Sequence, residues 1–325
     1  MRLLVEASLP VGTLYLCLRY AEYAAMNKLM KIVGGSLAVL AVGVGVTAGA
    51  AMLLSERKMN RVLDVSVAPI DFASFQPSME RGEYLFLTRG CSECHGARGE
   101  GRLAMEDPSS GFYVYTPNIT RGGSGAAATY SDTDWVALLR HGLKPSRTPV
   151  LIMPSEDYAQ MADEDVAALV AYIRALPAAP EHKAVIRIPL MVKALYAFGL
   201  TSDAAEKIDH SQPAPARVPE DSHSQGAYVA RTCAGCHGDG LAGGKIPGAP
   251  PSWPAAANLT SAADGAMNRY ASVEQFRQMM RSGQRSDGTS IAVMPFESLR
   301  AMSDAELDAL FGFLKTLQPK ASGTR

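Results

Sequence analysis

Five cysteines stand in the 325 residues, at positions 17, 91, 94, 233 and 236, and four of them fall into two copies of one pattern. Cys91-Ser92-Glu93-Cys94-His95 and Cys233-Ala234-Gly235-Cys236-His237 are each C-x-x-C-H. Two thiols three positions apart reach the two vinyl groups of one haem as thioethers, and the adjoining histidine then lies under the ring as the proximal iron ligand. The same thiols would also suit a thioredoxin-like redox pair or half of a zinc site, but either reading needs two histidines placed there by accident. Random placement of these cysteines and histidines produces one such match in roughly one chain in a thousand. Two covalently bound haem c groups are therefore expected, with His95 and His237 on iron. Cys17 is left alone, so no structural disulfide is expected.

The distal ligand must come from elsewhere, and a thioether suits an electron-transfer haem. Met153 and Met294 each precede a proline, whose fixed backbone can present sulfur to iron. Met161 and Met302 also match in position, but each stands just before a helix start, where a methionine packs as a hydrophobic staple. Met153 and Met294 are the expected ligands. Arg140 and Arg281 could grip haem propionates through a bidentate fork, the plainer alternative being solvated helix-end arginines. His141 is a possible ligand to the first haem, yet Ser282 stands at its matching position, which favours a structural role. Trp135 and Trp253 do not match one another and are read as core.

The elements that position these groups come twice. Cys91 and Cys233 are 142 positions apart and Met153 and Met294 are 141 apart, with matched features between them. Gly82-x-Tyr84 and Gly226-x-Tyr228 open a helix leading into each C-x-x-C-H. Pro117-Asn118-Ile119-Thr120 and Ala257-Asn258-Leu259-Thr260 follow in Gly- and Pro-rich surroundings that read as loop. Ser131 to Asp134 and Ser272 to Gln275 then read as capping-box starts of a second helix, stopped at Arg140-His141-Gly142 and Arg281-Ser282-Gly283. A last helix carries one apolar face, Val166, Leu169, Val170, Ile173 and Leu176 in the first copy, Leu307, Leu310, Phe311, Leu314 and Leu317 in the second. Ser303-Asp304-Ala305-Glu306 reads as its capping box. Tyr172 and Phe313 should pack against the first helix around Tyr84 and Tyr228. No strand-like alternation of useful length occurs, so the fold class is all-α.

The organisation read from this pattern is an N-terminal region at 1–31, a transmembrane helix at 32–54 and a tether at 55–79. Domain 1 covers 80–178, a linker 179–223, domain 2 224–320 and a tail 321–325. The 23 uncharged residues from Ile32 to Leu54 make a helix of roughly 35 Å, against a hydrocarbon core of about 30 Å. A cleaved signal peptide is the alternative, since Ala48-Gly49-Ala50 fits the cleavage rule, but the stretch exceeds an ordinary signal core. Met26 to Lys31 reads as a natural start of such a segment, which would remove Cys17. The middle of the linker, Ile186 to Leu200, is apolar enough to pack on a domain or to lie at a membrane surface. With 31 basic and 32 acidic residues, the net charge of -1 lacks the excess that phosphate binding leaves, which argues against nucleic acid.

C-x-x-C-H, a later Met-Pro and a final amphipathic helix, all repeated, resemble class I c-type cytochromes in a dihaem tandem. The resemblance covers about residues 80–320. Asn118-Ile119-Thr120, Arg140-His141-Gly142 and Met153-Pro154 are similar to the cytochrome c subunits of membrane-bound alcohol and gluconate dehydrogenases, which carry three haems where this chain has two motifs. The resemblance implies helices wrapped round each haem and haem attachment outside the bacterial cytoplasmic membrane, so that both domains would face the periplasm. The lysines before the span and the arginines after it do not fix that orientation. The implied function is relay of single electrons from a dehydrogenase or quinol-oxidising donor to a terminal oxidase or other acceptor. A cytochrome subunit of a dehydrogenase complex is the alternative. A dihaem peroxidase would need one displaceable sixth ligand, against which the two Met-Pro sites argue.

Overall fold

The computed structural model describes residues 11–215, 223–247, 249 and 252–324. Residues 1–10 of the N-terminal region, 216–222 of the linker and the side chain of Cys17 lie outside the described residues. The chain divides into two compact units, Met1–Leu54 and Ser55–Arg325. Helix α1 (Val11–Met59) makes up the described part of the first unit, and its stretch Met26–Met59 is long and apolar enough to cross a membrane, with an 18-residue window of mean hydropathy 2.3.

The second unit carries the repeat. In the first half, α2 (Met79–Thr88) leads into α3 (Cys91–His95); α4 (Ala126–Thr129), α5 (Asp132–His141), α6 (Ser155–Tyr158) and α7 (Asp163–Ala175) follow. The linker contributes α8 (Leu190–Ala197) and α9 (Ala204–Lys207). The second half repeats the scheme with α10 (His223–Ala230), α11 (Ala234–His237), α12 (Val273–Ser282), α13 (Phe296–Leu299) and α14 (Asp304–Thr316). Each half has its own core, one built on Leu85, Phe86, Trp135, Val166, Leu169 and Val170, the other on Val229, Phe276, Met280, Leu307 and Leu310.

The first and last helices of each half cross at Gly82 and Gly226. A Cβ on Gly82 would lie 2.2 Å from the Ala168 carbonyl oxygen, and one on Gly226 2.0 Å from that of Ala309, so only glycine permits the approach. Tyr172 and Phe313 do pack on these helices, but against Gly82 and Phe86 and against Gly226 and His223. Tyr84 and Tyr228 point elsewhere, into the other half.

The all-α expectation needs correction. Strands β1 (Leu103–Asp107), β2 (Phe112–Tyr115) and β3 (Val185–Arg187) form a three-stranded antiparallel sheet. The aromatic and β-branched run Phe112-Tyr113-Val114-Tyr115 favours a strand. Asp107 accepts the Ser109 amide at 3.0 Å, and Gly111 turns the chain at φ 77°. The third strand comes from the linker, some seventy residues away, with Val114 opposite Ile186; no local pattern announces such a pairing.

The capping boxes are only partly as expected. Ser131 and Asp134 form one reciprocally. Ser272 makes no cap bond; Gln275 instead accepts the Ala271 amide at 2.8 Å. Ser303 accepts the Glu306 amide at 3.1 Å, but the Glu306 carboxylate turns away from its own helix start. What it turns to joins the two halves. The Ser303 amide donates to the Tyr84 hydroxyl at 2.9 Å, and that hydroxyl donates to Glu306 at 2.8 Å. The Ala162 amide likewise donates to the Tyr228 hydroxyl at 2.9 Å, which donates to Asp165 at 2.9 Å. Each last helix is thus capped by a tyrosine of the opposite half, inserted between the cap amide and the carboxylate that would otherwise serve it. Arg89 closes the contact with a two-pronged pair to Glu306 at 2.6 and 3.0 Å.

Candidate functional site

Each C-x-x-C-H forms a single helical turn, which sets both thiols and the histidine beside one another. His95 Nδ1 lies 3.1 Å from the Pro117 carbonyl and His237 Nδ1 2.7 Å from that of Ala257. With Nδ1–H donating to a carbonyl, Nε2 is the nitrogen left to a metal, and the ring orientation is fixed. The Asn-Ile-Thr and Asn-Leu-Thr motifs explain why those carbonyls stay in place. Asn118 Oδ1 accepts the Thr120 amide at 2.7 Å, while its Nδ2 donates to the Ala179 and Pro180 carbonyls at 3.2 and 3.1 Å. Asn258 Oδ1 accepts the Thr260 amide at 2.9 Å, and its Nδ2 donates to the Lys320 carbonyl at 2.9 Å. Both loops are thereby tied to the chain leaving the last helix.

The methionine turns match in detail. Gly142 and Gly283 stop α5 and α12 with φ of 64° and 76°. The Ser155 amide donates to the Met153 carbonyl and the Phe296 amide to that of Met294, both at 2.9 Å. Cys91 and Met153 border one core cluster, Cys233 and Met294 the other. Met161 and Met302 are buried within the same clusters, as their staple-like positions lead one to expect.

The chemistry of these donors fits a covalently held haem. Burial pushes the Cys91 and Cys233 thiols up to about 12, so neither is a ready thiolate of the redox-pair kind. Trp135 Nε1 and Arg140 Nε are buried donors with no hydrogen-bond acceptor among the described residues, and a ligand bearing carboxylates would supply one. Arg140 Nη2 donates to the Met161 carbonyl at 2.8 Å and to Asp163; Arg281 donates through Nη1 to the Arg300 carbonyl and through Nη2, at 2.9 Å, to Asp304. Both arginines therefore brace the start of the last helix.

The sequence model of the cytochrome c family matches residues 79–177 and 224–318. The chain belongs to the cytochrome c family. It is 26% identical to the fructose dehydrogenase cytochrome subunit of Gluconobacter japonicus, over 78% of this chain and 55% of that protein. It is 28% identical to the gluconate 2-dehydrogenase cytochrome c subunit of Pantoea cypripedii, over 81% and 66%. A shorter match, 32% identical over 33% of this chain and 38% of the relative, is to a dihaem c-type cytochrome of Cereibacter sphaeroides. The chain spans from about half to two thirds of the length of the first two relatives. This cytochrome carries two covalently bound haem c groups and transfers electrons.

His141 meets a histidine of the linker. It lies with its Nδ1 3.0 Å from His210 Nδ1, beside a cavity of about 200 Å³ that Ser66, Arg140 and Gln160 also line. Burial, then His210 and the nearby Arg140 and Arg147, push its imidazole down to about 4. The folded cytochrome thus refuses a proton that the unfolded chain accepts from about pH 6.5 downward, so this residue costs stability as pH falls towards 4 and no further below it. Asp157, pushed up to about 7 by burial and Glu156, acts in the opposite direction over the same range. The expected result is therefore a difference: between pH 7 and pH 5, His141→Gln loses less stability than the unmutated protein in urea titrations. Equal losses would show that His141 already takes up its proton in the folded state.

Tyr84, Tyr228, Asp165 and Glu306 are functional in a sense that sequence reasoning missed, since they fix one haem half on the other. The available signal was the matched tyrosine two residues after each crossing glycine, on the opposite side from the core.

Proposed function

We propose that the chain is a membrane-anchored dihaem cytochrome c that relays single electrons. The two haem domains lie at 80–178 and 224–320, and α1 serves as the anchor, with both domains on the periplasmic side of a bacterial cytoplasmic membrane. His95 and His237 are the proximal ligands and Met153 and Met294 the distal ones; Arg140, Arg281 and Trp135 are the donors assigned to haem carboxylates. The observation that carries this reading is the twofold match of a carbonyl-oriented histidine with a Met-Pro turn that borders the same core as the first cysteine of its motif.

Bound haem c supplies a one-electron iron couple. The chain's own residues do the rest. The Pro117 and Ala257 carbonyls hold the histidine rings, which makes Nε2 more basic. Pro154 and Pro295, with nearly equal backbone angles, fix where each methionine sulfur is presented. The two apolar cores would keep water from the bound groups, and the Met153 and Met294 thioethers would favour a potential suited to delivery to an oxidase. A dehydrogenase as electron donor is supported by the names of the relatives, which are cytochrome subunits of fructose and gluconate dehydrogenases.

Met153→Ala and Met294→Ala should each remove about half of the sulfur-to-iron charge-transfer band, lower the potential of one haem and open it to carbon monoxide. Stoichiometric carbon monoxide binding by the unmutated reduced protein, or rapid peroxide turnover, would replace the carrier reading with the peroxidase one.

A further inference from the structure

Helix α8 and the turn after it leave a band of apolar side chains uncovered. Met191 is 71% exposed, Phe198 54% and Leu200 68%, with Leu190 beside them at 46%. Met191, Leu195 and Phe198 recur at spacings of four and three, which puts them on one side of the helix. The other side is tightly held. Tyr196 is buried, its hydroxyl accepts from Arg61 at 2.8 Å, and it donates to Asp203. Lys58 donates to the Tyr196 carbonyl at 3.0 Å, and Lys193 pairs with Glu56 at 2.7 Å. The exposed band therefore belongs to an ordered element.

Those holding residues are the first after the apolar span. Glu56 and Lys58 follow Leu54 by only two and four positions in the sequence, so the chain itself keeps them within about 7 and 14 Å of it. An apolar band fastened to that point stands at headgroup depth if the span crosses a bilayer. The charges agree. From His182 to Ser202 the chain holds no carboxylate, and with Lys193 paired to Glu56 it is Lys183 and Arg187 that give the positive balance attracted by an anionic lipid surface.

We propose that Leu190–Leu200 is a second membrane contact, lying in the headgroup–acyl boundary of the leaflet from which the anchor emerges, with Leu190, Met191, Phe198 and Leu200 immersed. This rests on the reading of α1 as an anchor. Two attachments restrict how the haem unit can turn about the end of its anchor, so the element would hold the haems in a limited range of orientations above the bilayer.

The test uses the full-length chain in vesicles of phosphatidylcholine and phosphatidylglycerol, with a phospholipid carrying a photoactivated carbene source near the top of its acyl chain. The expected result is lipid adducts at 190–200 as well as at 32–54. A variant with Met191→Glu, Phe198→Glu and Leu200→Glu should lose the former, keep the latter and retain both haems. Adducts at 32–54 alone overturn the proposal and leave the anchor standing, whether water or a second copy of the chain covers the band. Adducts at neither segment, with release of the protein by carbonate, overturn both. Unchanged labelling of 190–200 in the triple variant also overturns the proposal, because the contact would then not depend on these side chains.

Discussion

Replacing Cys233 and Cys236 together by alanine should halve the haem that stays with the chain after denaturation. Each C-x-x-C-H supplies both thioether sulfurs of its own group, and Cys91 and Cys233 border two separate core clusters, so neither pair can substitute for the other. The loss should also unsettle the second half. Cys233 and Met294 border a core in which Met267, Met279, Met280 and Met302 are buried, and small domains of this size lean on a bound group for much of their apolar contact. Haem staining on denaturing gels and the pyridine haemochrome spectrum measure the first effect, and protease sensitivity of residues 224–320 the second. Full retention of haem in the double variant would remove the assignment of two covalent groups.

Glu306→Ala should destabilise the haem unit by about 3–5 kcal/mol, among the largest effects expected from one side chain. Glu306 and Arg89 are 1% and 2% exposed, and removing the carboxylate leaves a buried guanidinium without its partner. Burial alone would raise the Glu306 carboxyl, but Arg89, through its charge and hydrogen bonds, more than offsets this and holds it below its ordinary value. Tyr84 and Gln225 also donate to the same carboxylate, so the loss is felt on three sides. Adding Arg89→Leu to Glu306→Ala should recover part of the stability, because the stranded charge is then gone. Urea unfolding followed through the haem absorbance measures both. A Glu306→Ala protein within about 1 kcal/mol of the parent would mean that Arg89 finds water instead.

Much of the haem chemistry was legible because it depends on short spacings. C-x-x-C-H, Met-Pro and the Arg-x-Gly stop are local patterns, and the repeat doubled the weight of each. The last helices could be read from their apolar period, and Val166, Leu169, Val170 and Ile173 are all buried. What escaped is non-local. β3 pairs with a strand some seventy residues earlier, and Glu306 looks like an ordinary capping residue until Arg89 and Tyr84, more than 200 positions away, are brought beside it. The same carboxylate chemistry serves a local cap and a distant guanidinium equally well, so the residue type alone could not choose.

The exchange of capping tyrosines bears on how the protein is made. Tyr84 and Ser303 are 219 positions apart, so the first half leaves the ribosome long before the helix that its tyrosine completes. Until the halves dock, each last helix lacks the tyrosine that takes its cap amide, and Glu306 lacks Arg89. Closing so long a loop is slow compared with forming either half, which makes docking the late step of folding. Once docked, neither half can open without uncapping the other, and the two haem regions melt as one cooperative body although the repeat divides them so cleanly.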